Sequence, residues 1–495
     1  MKQNKLKVAF AASEAVPFAK TGGLADVAGT LPVFLGELGC EVKLFIPKYS
    51  SIDETKYGLN YCWELGELPI RVAGNVYSVH VHKSSLPDSN VEVYFIDCPH
   101  YFFRGSIYTN DSDEDERFIL FSKSVIETLQ RLQWAPDILH CNDWQTGLLP
   151  LLLKDNYGWD KMFNETKTVF TIHNIGYQGV FPKTVMFSAE LNGDYFYPGG
   201  PVEFYDKVSF MKAAIVFSDV INTVSEKYAE EILTAEYGNG MEKSLLDRKE
   251  DLYGILNGVD YDVWNPVSDR LIPFRYNAGY LNGKLKNKKF LLEHFNRDYK
   301  ENLPLIGIIS RLVKQKGFDL VAQEIDNLMQ LKANWIILGS GEDSYENLFK
   351  DVALTYPGKT AIYIGYNNEL AHLIEAAADI FLMPSHYEPC GLNQIYSLKY
   401  GSVPVVRKTG GLADTVQDWH ELIIKKDESG TGFSFNDYSG TALLTTLQRS
   451  IDTFKNKTVW KKIQKNGMNK DYSWKTSAEK YISLYGIALK GKNKF

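Results

Sequence analysis

The heptapeptide Lys-Thr-Gly-Gly-Leu-Ala-Asp stands twice in this chain of 495 residues, at positions 20–26 and again at 408–414. Each copy follows a short apolar run and precedes a segment of helical period, so each is expected at a strand-to-helix turn. A glycine pair there lets backbone N–H groups approach a ligand, and the start of the following helix favours an anion. One such turn is as easily an ordinary connection. Two identical sevens point instead to a two-domain α/β enzyme that grips a phosphorylated ligand, with strand ends facing one cleft.

The rest of the pattern agrees. Short apolar runs alternate with helix-period segments, which implies βαβ units and parallel sheets. Strands are expected at 7–12, 41–46, 91–96, 137–141, 168–172, 220–223 and 254–256. They lack alternation, as expected where both faces are buried. A second series follows the Lys- and Asn-rich stretch 282–289, at 305–309, 335–338, 361–364, 380–383 and 403–406. Prolines interrupt residues 260–280, which sets the domains at 1–265 and 266–470. Residues 76–82 read as a small edge hairpin and 471–489 as a terminal amphipathic helix. The aromatic, aperiodic stretch 176–205 reads as a functional loop.

Composition excludes some partners. The chain is 44% hydrophobic and 23% charged, as in globular proteins, and its net charge is −7. No nucleic acid and no anionic membrane is expected, because both are bound by basic surfaces. Five scattered cysteines without a Cys-x-x-Cys pair suit a reducing compartment. The apolar start Val8–Ala12 is cut off by Glu14, too early for a secretory signal, and no run is long enough to span a membrane. Cytoplasm is the expected location.

Several polar groups fall at strand ends. Arg311, Lys314 and Lys316 follow the second domain's first strand, where cations suit a departing diphosphate or simply a solvated loop. Glu388 lies before a helix near Leu392, placed to bind sugar hydroxyls or to complement a helix dipole. Nothing pairs Cys390 with a base, so it reads as small and structural. In the first domain Asp143 and His173 each follow a strand. Gly339-Ser340-Gly341 lacks the third glycine of a dinucleotide fingerprint. The acidic run 111–116 reads as a solvated helix start, so no metal and no cofactor is expected.

Together these segments resemble the bacterial glycogen synthase and plant starch synthase family, over nearly the whole chain. The matching motifs lie at 20–27, 173–181, 223–229, 254–266, 310–320, 388–392 and 408–416. The resemblance implies the GT-B fold, two Rossmann-like domains with parallel sheets facing a central cleft, and a C-terminal helix (471–495) crossing back to the first domain. It implies transfer of glucose from ADP-glucose to the non-reducing end of an α-1,4-glucan, with retention and without metal. Glu388, His173, Arg311 and Lys316 would be catalytic. Lys20, Gly22 and Gly23 would hold the donor, with Arg311 and Lys316 neutralising its diphosphate. Thr409, Gly410 and Gly411 would add amides to the phosphates. Glu388, His173, Asn257 and Asp143 would orient the glucosyl hydroxyls, and Tyr366 would stack on the base. Asn174, Cys390, Gly391 and Leu392 complete the implied donor site. The chain departs from the family at His386-Tyr387, where Arg-Phe is usual, at Lys408, and at Asn142. A sucrose-type or UDP-glucose-using enzyme of the same fold, and a non-catalytic glucan-binding protein, stand as alternatives.

Overall fold

Val8, Phe10 and Ala11 have no exposed surface, and the strand that carries them, β1 (Lys7–Ala11), is central to the first of two units. The computed structural model describes residues 5–491. The first unit holds the residues up to Val224, Ala229–Ile255 and those from Trp474 on; the second holds Ser225–Tyr228 and Leu256–Ser473.

The first unit continues with β2 (Glu41–Pro47), β3 (Asn60–Tyr61), β4 (Leu68–Val72), β5 (Asn75–Ser85), β6 (Glu92–Asp97), β7 (Ile138–Asn142) and β8 (Lys167–Ile172). Then come β9 (Val180–Phe181), β10 (Glu203–Phe204), β11 (Lys207–Ser209), β12 (Val220–Thr223) and β13 (Leu252–Gly254). Its main sheet runs β13-β12-β8-β7-β1-β2-β6-β5-β3, with β4 on β5. The strands from β13 to β6 are parallel, and β5 adds an antiparallel edge. The expected hairpin is therefore real, but its second strand is longer and is built into the sheet. The strand expected at 254–256 ends at Gly254. Ile255 is buried beyond it, its N–H still donating to the Thr223 carbonyl at 2.8 Å, and that burial made the apolar run misleading. The long stretch 176–205 carries β9 and β10, which with β11 form a small antiparallel sheet.

The second unit has β14 (Leu305–Ile309), β15 (Asn334–Gly339), β16 (Thr360–Ile364), β17 (Ile380–Met383), β18 (Val403–Arg407) and β19 (Phe433–Phe435). All pair in parallel, in the order β16-β15-β14-β17-β18-β19. Ile306, Ile308 and Leu382 pack on one face, and Leu305, Ile336 and Leu338 on the other. Burial on both faces is what makes these strands continuous apolar runs.

Both sheets share one logic. Each begins at its centre, winds outward to one side, then returns and winds to the other, as in doubly wound nucleotide-binding sheets. The direction reverses between β1 and β7 in the first unit and between β14 and β17 in the second. Loops leaving adjacent strands there diverge to opposite faces and leave a crevice at the carboxyl ends.

The last helix, Trp474–Lys490, packs within the first unit on the helix Gly23–Glu37. Its Tyr485 hydroxyl meets His140 Nδ1 at 2.8 Å, and Tyr481 accepts from Asn222 at 3.2 Å, all four side chains being buried. His140 Nε2 is engaged by Thr171 at 2.7 Å, and burial holds the ring's pKa down to about 3. Tyr485→Phe should therefore leave a buried ring nitrogen unpaired and cost about 1–3 kcal/mol, read by urea unfolding as a lower midpoint with an unchanged slope.

Candidate active site

In the second unit the crevice is built by the loops after β14 and β17. Gly317 (φ 79) brings them together, since a Cβ there would lie 2.0 Å from the Pro384 carbonyl oxygen. His386 N–H donates to the Gln315 carbonyl at 2.8 Å across the same junction. Lys316 Nζ donates to Glu388 Oε2 at 2.6 Å, and the Ser385 hydroxyl donates to the same oxygen at 3.0 Å. Arg311 is exposed at the rim. A cavity of about 200 Å³ is lined by Arg311, Lys316, Ser385, Glu388, Gly391 and Asn393, among others. Glu388 is thus a buried partner of a lysine, an arrangement that neither sequence alternative included.

Asn257 lies beside this loop, its backbone N–H donating to Cys390 Sγ. Its Oδ1 is buried without a hydrogen-bond partner, a state that costs free energy unless a ligand donor satisfies it. Burial pushes the Cys390 thiol up to about 12, which removes it as a nucleophile. Tyr366, following β16, is 84% exposed, an open ring face at the carboxyl edge of the sheet.

The second heptapeptide follows β18, one strand beyond the crevice, and opens the short helix Gly410–Thr415. Its glycines are demanded by the chain itself. A Cβ on Gly410 (φ 44) would lie 2.0 Å from the Glu388 carbonyl oxygen, and one on Gly411 would lie 1.9 Å from that of Cys390. The Gly411 N–H already donates to the Glu388 and Pro389 carbonyls, and the Thr409 N–H to Arg407. The phosphate amides expected of Thr409 and Gly411 are thus committed inside the chain in this arrangement. The nearby Lys408 pairs with Glu421 at 2.9 Å, at the surface.

The first copy differs in position and in use. It follows β1, the innermost strand, and opens the helix Gly23–Glu37. A Cβ on Gly23 would meet nothing within 4 Å, and one on Gly22 only Glu14 Oε1 at 3.6 Å. These glycines leave open space where the chain does not require it. Lys20 pairs with Asp26 through both carboxylate oxygens, at 2.7 and 2.9 Å. The Gly22 N–H points inward to Glu14 at 3.4 Å, so of the two expected donor amides Gly23's is the outward one.

Across the switch point, after β7, Asp143 adopts φ 55 and accepts the His173 N–H at 2.7 Å. Burial drives its carboxyl up to about 7, against the lowering effect of the His173 and Asn174 amides. Asn142 gives its amide to the Ala11 carbonyl at 3.0 Å, which fixes Oδ1 as an acceptor. His173 Nε2, 3.0 Å away, must then carry the proton and leave Nδ1 as an acceptor. Burial lowers the His173 pKa to about 3, so the ring is neutral at ordinary pH. Asn174 closes its own turn by accepting the Gly176 N–H at 2.9 Å. Beyond Asp143, Trp144 and residues Gly176–Phe181 line a groove of about 490 Å³ with Asn110 and Asp111. Sequence reasoning missed Asn142 as the group that orients His173, and Glu14 beneath the turn. Their position at or just past strand ends at the reversal was the available signal.

Among the described residues, no cluster of three His, Cys, Asp or Glu side chains is placed to hold a metal ion, and no helix is long and apolar enough to cross a membrane.

Two doubly wound units, one with a cation–carboxylate pair at its reversal point, define the class of nucleotide-binding α/β proteins. The comparisons with known proteins give the family. Residues 7–247 match the starch synthase catalytic domain, and 291–462 match glycosyl transferases group 1. Glycogen synthase of Koribacter versatilis is 45% identical over 97% of this chain and 98% of its own. That of Moorella thermoacetica is 43% identical over 98% and 97%. The catalytic domain of Arabidopsis thaliana starch synthase IV, solved with ADP and acarbose, superposes with a TM-score of 0.89 at 32% identity, over 98% of this chain and 100% of that one. A sucrose-phosphate synthase from Thermosynechococcus elongatus shares the fold, with a TM-score of 0.60 at 14% identity over 97% and 98%. The chain belongs to the glycogen synthase and starch synthase family.

The unequal glycines give a direct check. Gly411→Ala should destabilise by about 1–3 kcal/mol through overpacking, seen as a lower Tm, whereas Gly23→Ala should leave Tm at or above that of the parent. Asp143 supplies a second. Its folded pKa is raised, so the folded state holds a proton that the unfolded chain releases near pH ~4. The parent should lose stability relative to Asp143→Asn as pH rises from about 4 to about 7, measured by urea unfolding across that range.

Proposed function

We propose that this chain transfers glucose from ADP-glucose to the 4-hydroxyl at the non-reducing end of an α-1,4-glucan, with retention of configuration. The observation that carries this reading is the placement of Lys316 and Arg311 beside Glu388 at the β14–β17 reversal, in a cavity whose lining residues include no second carboxylate. Most retaining glycoside hydrolases set two carboxylates about 5–5.5 Å apart, one of them a nucleophile. Here the charged groups that share the cavity with Glu388 are the cations Lys316 and Arg311. They serve a reaction whose difficulty is the charge left on a departing diphosphate.

As the bond from glucosyl C1 to the diphosphate oxygen lengthens, negative charge gathers on the phosphates. Lys316 and Arg311 meet it already in place, which lowers the barrier more than it tightens ground-state binding. The acceptor hydroxyl attacks from the side the diphosphate leaves, and that diphosphate is the base nearest its proton. Glu388, the neutral His173 through Nδ1, Asp143 and the unpartnered Asn257 Oδ1 hold the glucosyl hydroxyls. Asn174 shapes the turn beside them. The backbone of Cys390, Gly391 and Leu392 lines the sugar pocket, and Tyr366 receives the adenine. Lys20 and the Gly23 amide serve the donor from the first unit, and Gly410 supports the Glu388 loop. The groove along Trp144 and Gly176–Phe181 fits a glucan, whose rings offer one apolar face and a rim of hydroxyls to an aromatic wall edged with Asn110 and Asp111. Five unpaired, buried cysteines suit the cytoplasm.

Radiolabelled transfer to glycogen from ADP-glucose and from UDP-glucose in parallel tests the reading. Transfer from ADP-glucose that requires glycogen is expected, and donor consumption that needs no glucan overturns it. Lys316→Ala and Arg311→Ala should each lower kcat by roughly 10²–10³. Glu388→Ala should nearly abolish turnover, and normal transfer by it removes the role assigned there.

A further inference from the structure

The turn that opens the helix Gly23–Glu37 is held from beneath by a carboxylate that the reaction above does not use. Glu14 is 2% exposed and lies three residues past the end of β1. Its Oε2 accepts the Thr21 N–H, the Thr21 hydroxyl at 2.8 Å and the Gly22 N–H at 3.4 Å. Three neutral donors from two adjacent residues converge on one oxygen.

That geometry decides which groups of the turn face outward. Gly22 precedes the helix in extended conformation (φ −142, ψ −166), and no side chain of the turn caps the helix. Helices usually satisfy their first amides with a Ser, Thr, Asp or Asn side chain at that position. Here the carboxylate comes from another segment and engages Thr21 and Gly22, ahead of the helix. The amides from Gly23 on are left uncapped by any side chain at the end of the helix that favours an anion.

The floor that carries Glu14 is itself fixed. The Tyr49 hydroxyl donates to the Ser13 carbonyl at 2.7 Å, Ser13 Oγ meets the Tyr108 hydroxyl at 2.8 Å, and the Tyr57 hydroxyl donates to Pro17 at 2.7 Å. Gly29 of the helix lets it close onto this segment, since a Cβ there would lie 2.3 Å from Val16 Cγ2. Burial raises the Glu14 pKa, and the neighbouring Asp26 raises it further. A buried carboxylate without a cation is a costly way to close a turn. A serine at position 22 would close it without a buried charge. What the carboxylate adds is that Thr21 and Gly22 are fixed, while the Gly23 amide is not taken by Glu14, and Lys20, half-exposed in its surface pair with Asp26, can still meet a ligand.

We propose that Glu14 is a positioning residue for the donor: it sets the Lys20–Gly23 turn so that Lys20 and the Gly23 amide present to the diphosphate. The proposal rests on the ADP-glucose reading above. The test is steady-state kinetics of the full chain with ADP-glucose and glycogen. It compares the parent, Glu14→Gln, Lys20→Ala and the double variant, with Thr21→Val as an independent removal of one donor to Oε2. Glu14→Gln is expected to raise the donor KM about tenfold, the size of a lost hydrogen bond to a charged group, while the glycogen KM and Tm stay near those of the parent. In the Lys20→Ala background the same change should move the donor KM less than about twofold, because both act through one turn. Thr21→Val should shift the donor KM in the same direction by a smaller factor. Equal effects in both backgrounds, a parallel rise in both KM values with a fall in Tm, or a normal donor KM in both Glu14→Gln and Thr21→Val overturns the role. Failure of the parent to transfer from ADP-glucose overturns the donor reading instead, before any variant is compared.

Discussion

Glu388 ties together the two loops that make the second unit's crevice and the turn beside them. Its side chain takes Lys316 from the loop after β14 and Ser385 from its own loop after β17. Its carbonyl takes the Gly411 N–H from the turn after β18. The side chains of the ion pair are 7% and 18% exposed, so removing either partner would strand a charge in a poorly hydrated place. Such a pair is weak evidence for stability, because its desolvation offsets much of its attraction. Its use is geometric. A lysine held at 2.6 Å by a carboxylate does not have to be ordered when charge develops on a ligand, and preorganised charge of this kind is the largest single source of electrostatic catalysis.

The parallel sheets were legible because burial on both faces leaves no room for polar residues, so β1, β8, β14 and β15 are written as apolar runs. Weakly buried elements were not. At the sheet's end, β13 was mistaken for the buried residues that follow it, and β9 and β10 are two-residue strands that no periodicity can reveal. At the site, charged side chains such as Arg311, Lys316 and Glu388 were singled out as candidates from their place after strands. Residues that act by holding another group were not, because Asn142 on His173 and Glu14 on Thr21 are relations between segments 31 and 7 residues apart.

The repeated heptapeptide shows the limit most clearly. Identical sequence implies identical local propensity, and both copies do form a turn into a helix. Their surroundings make them different objects. The copy after β18 packs its glycines against backbone oxygens 1.9–2.0 Å from where a Cβ would be, so glycine there serves the fold. In the copy after β1 a Cβ on Gly22 would meet only Glu14 at 3.6 Å and one on Gly23 would meet nothing within 4 Å, so packing inside the chain does not demand glycine there. Topology explains the difference. In the second unit the loop equivalent to the first copy is 310–317, after β14, and it carries Arg311 and Lys316 in place of a glycine turn.

A chain of net charge −7 that binds a polyanionic ligand has to hold its anion-seeking groups in place without a net positive field. It does so by giving the anion-seeking groups of each crevice a carboxylate of their own: Lys20 has Asp26, the Thr21 and Gly22 amides have Glu14, and Lys316 has Glu388. Each pair is short-ranged and nearly neutral from a distance, so the acidic surface does not attract nucleic acid or other extended polyanions. A monoanion has little to gain by entering, because a tethered carboxylate already sits where it would sit. On the reading proposed above, a diphosphate offers more charge in one rigid group than Glu388 does, so within the second unit it can engage Lys316 and the exposed Arg311 together. On that reading, selectivity for a diphosphate over a simple anion follows from competition with Glu388 and needs no net positive field.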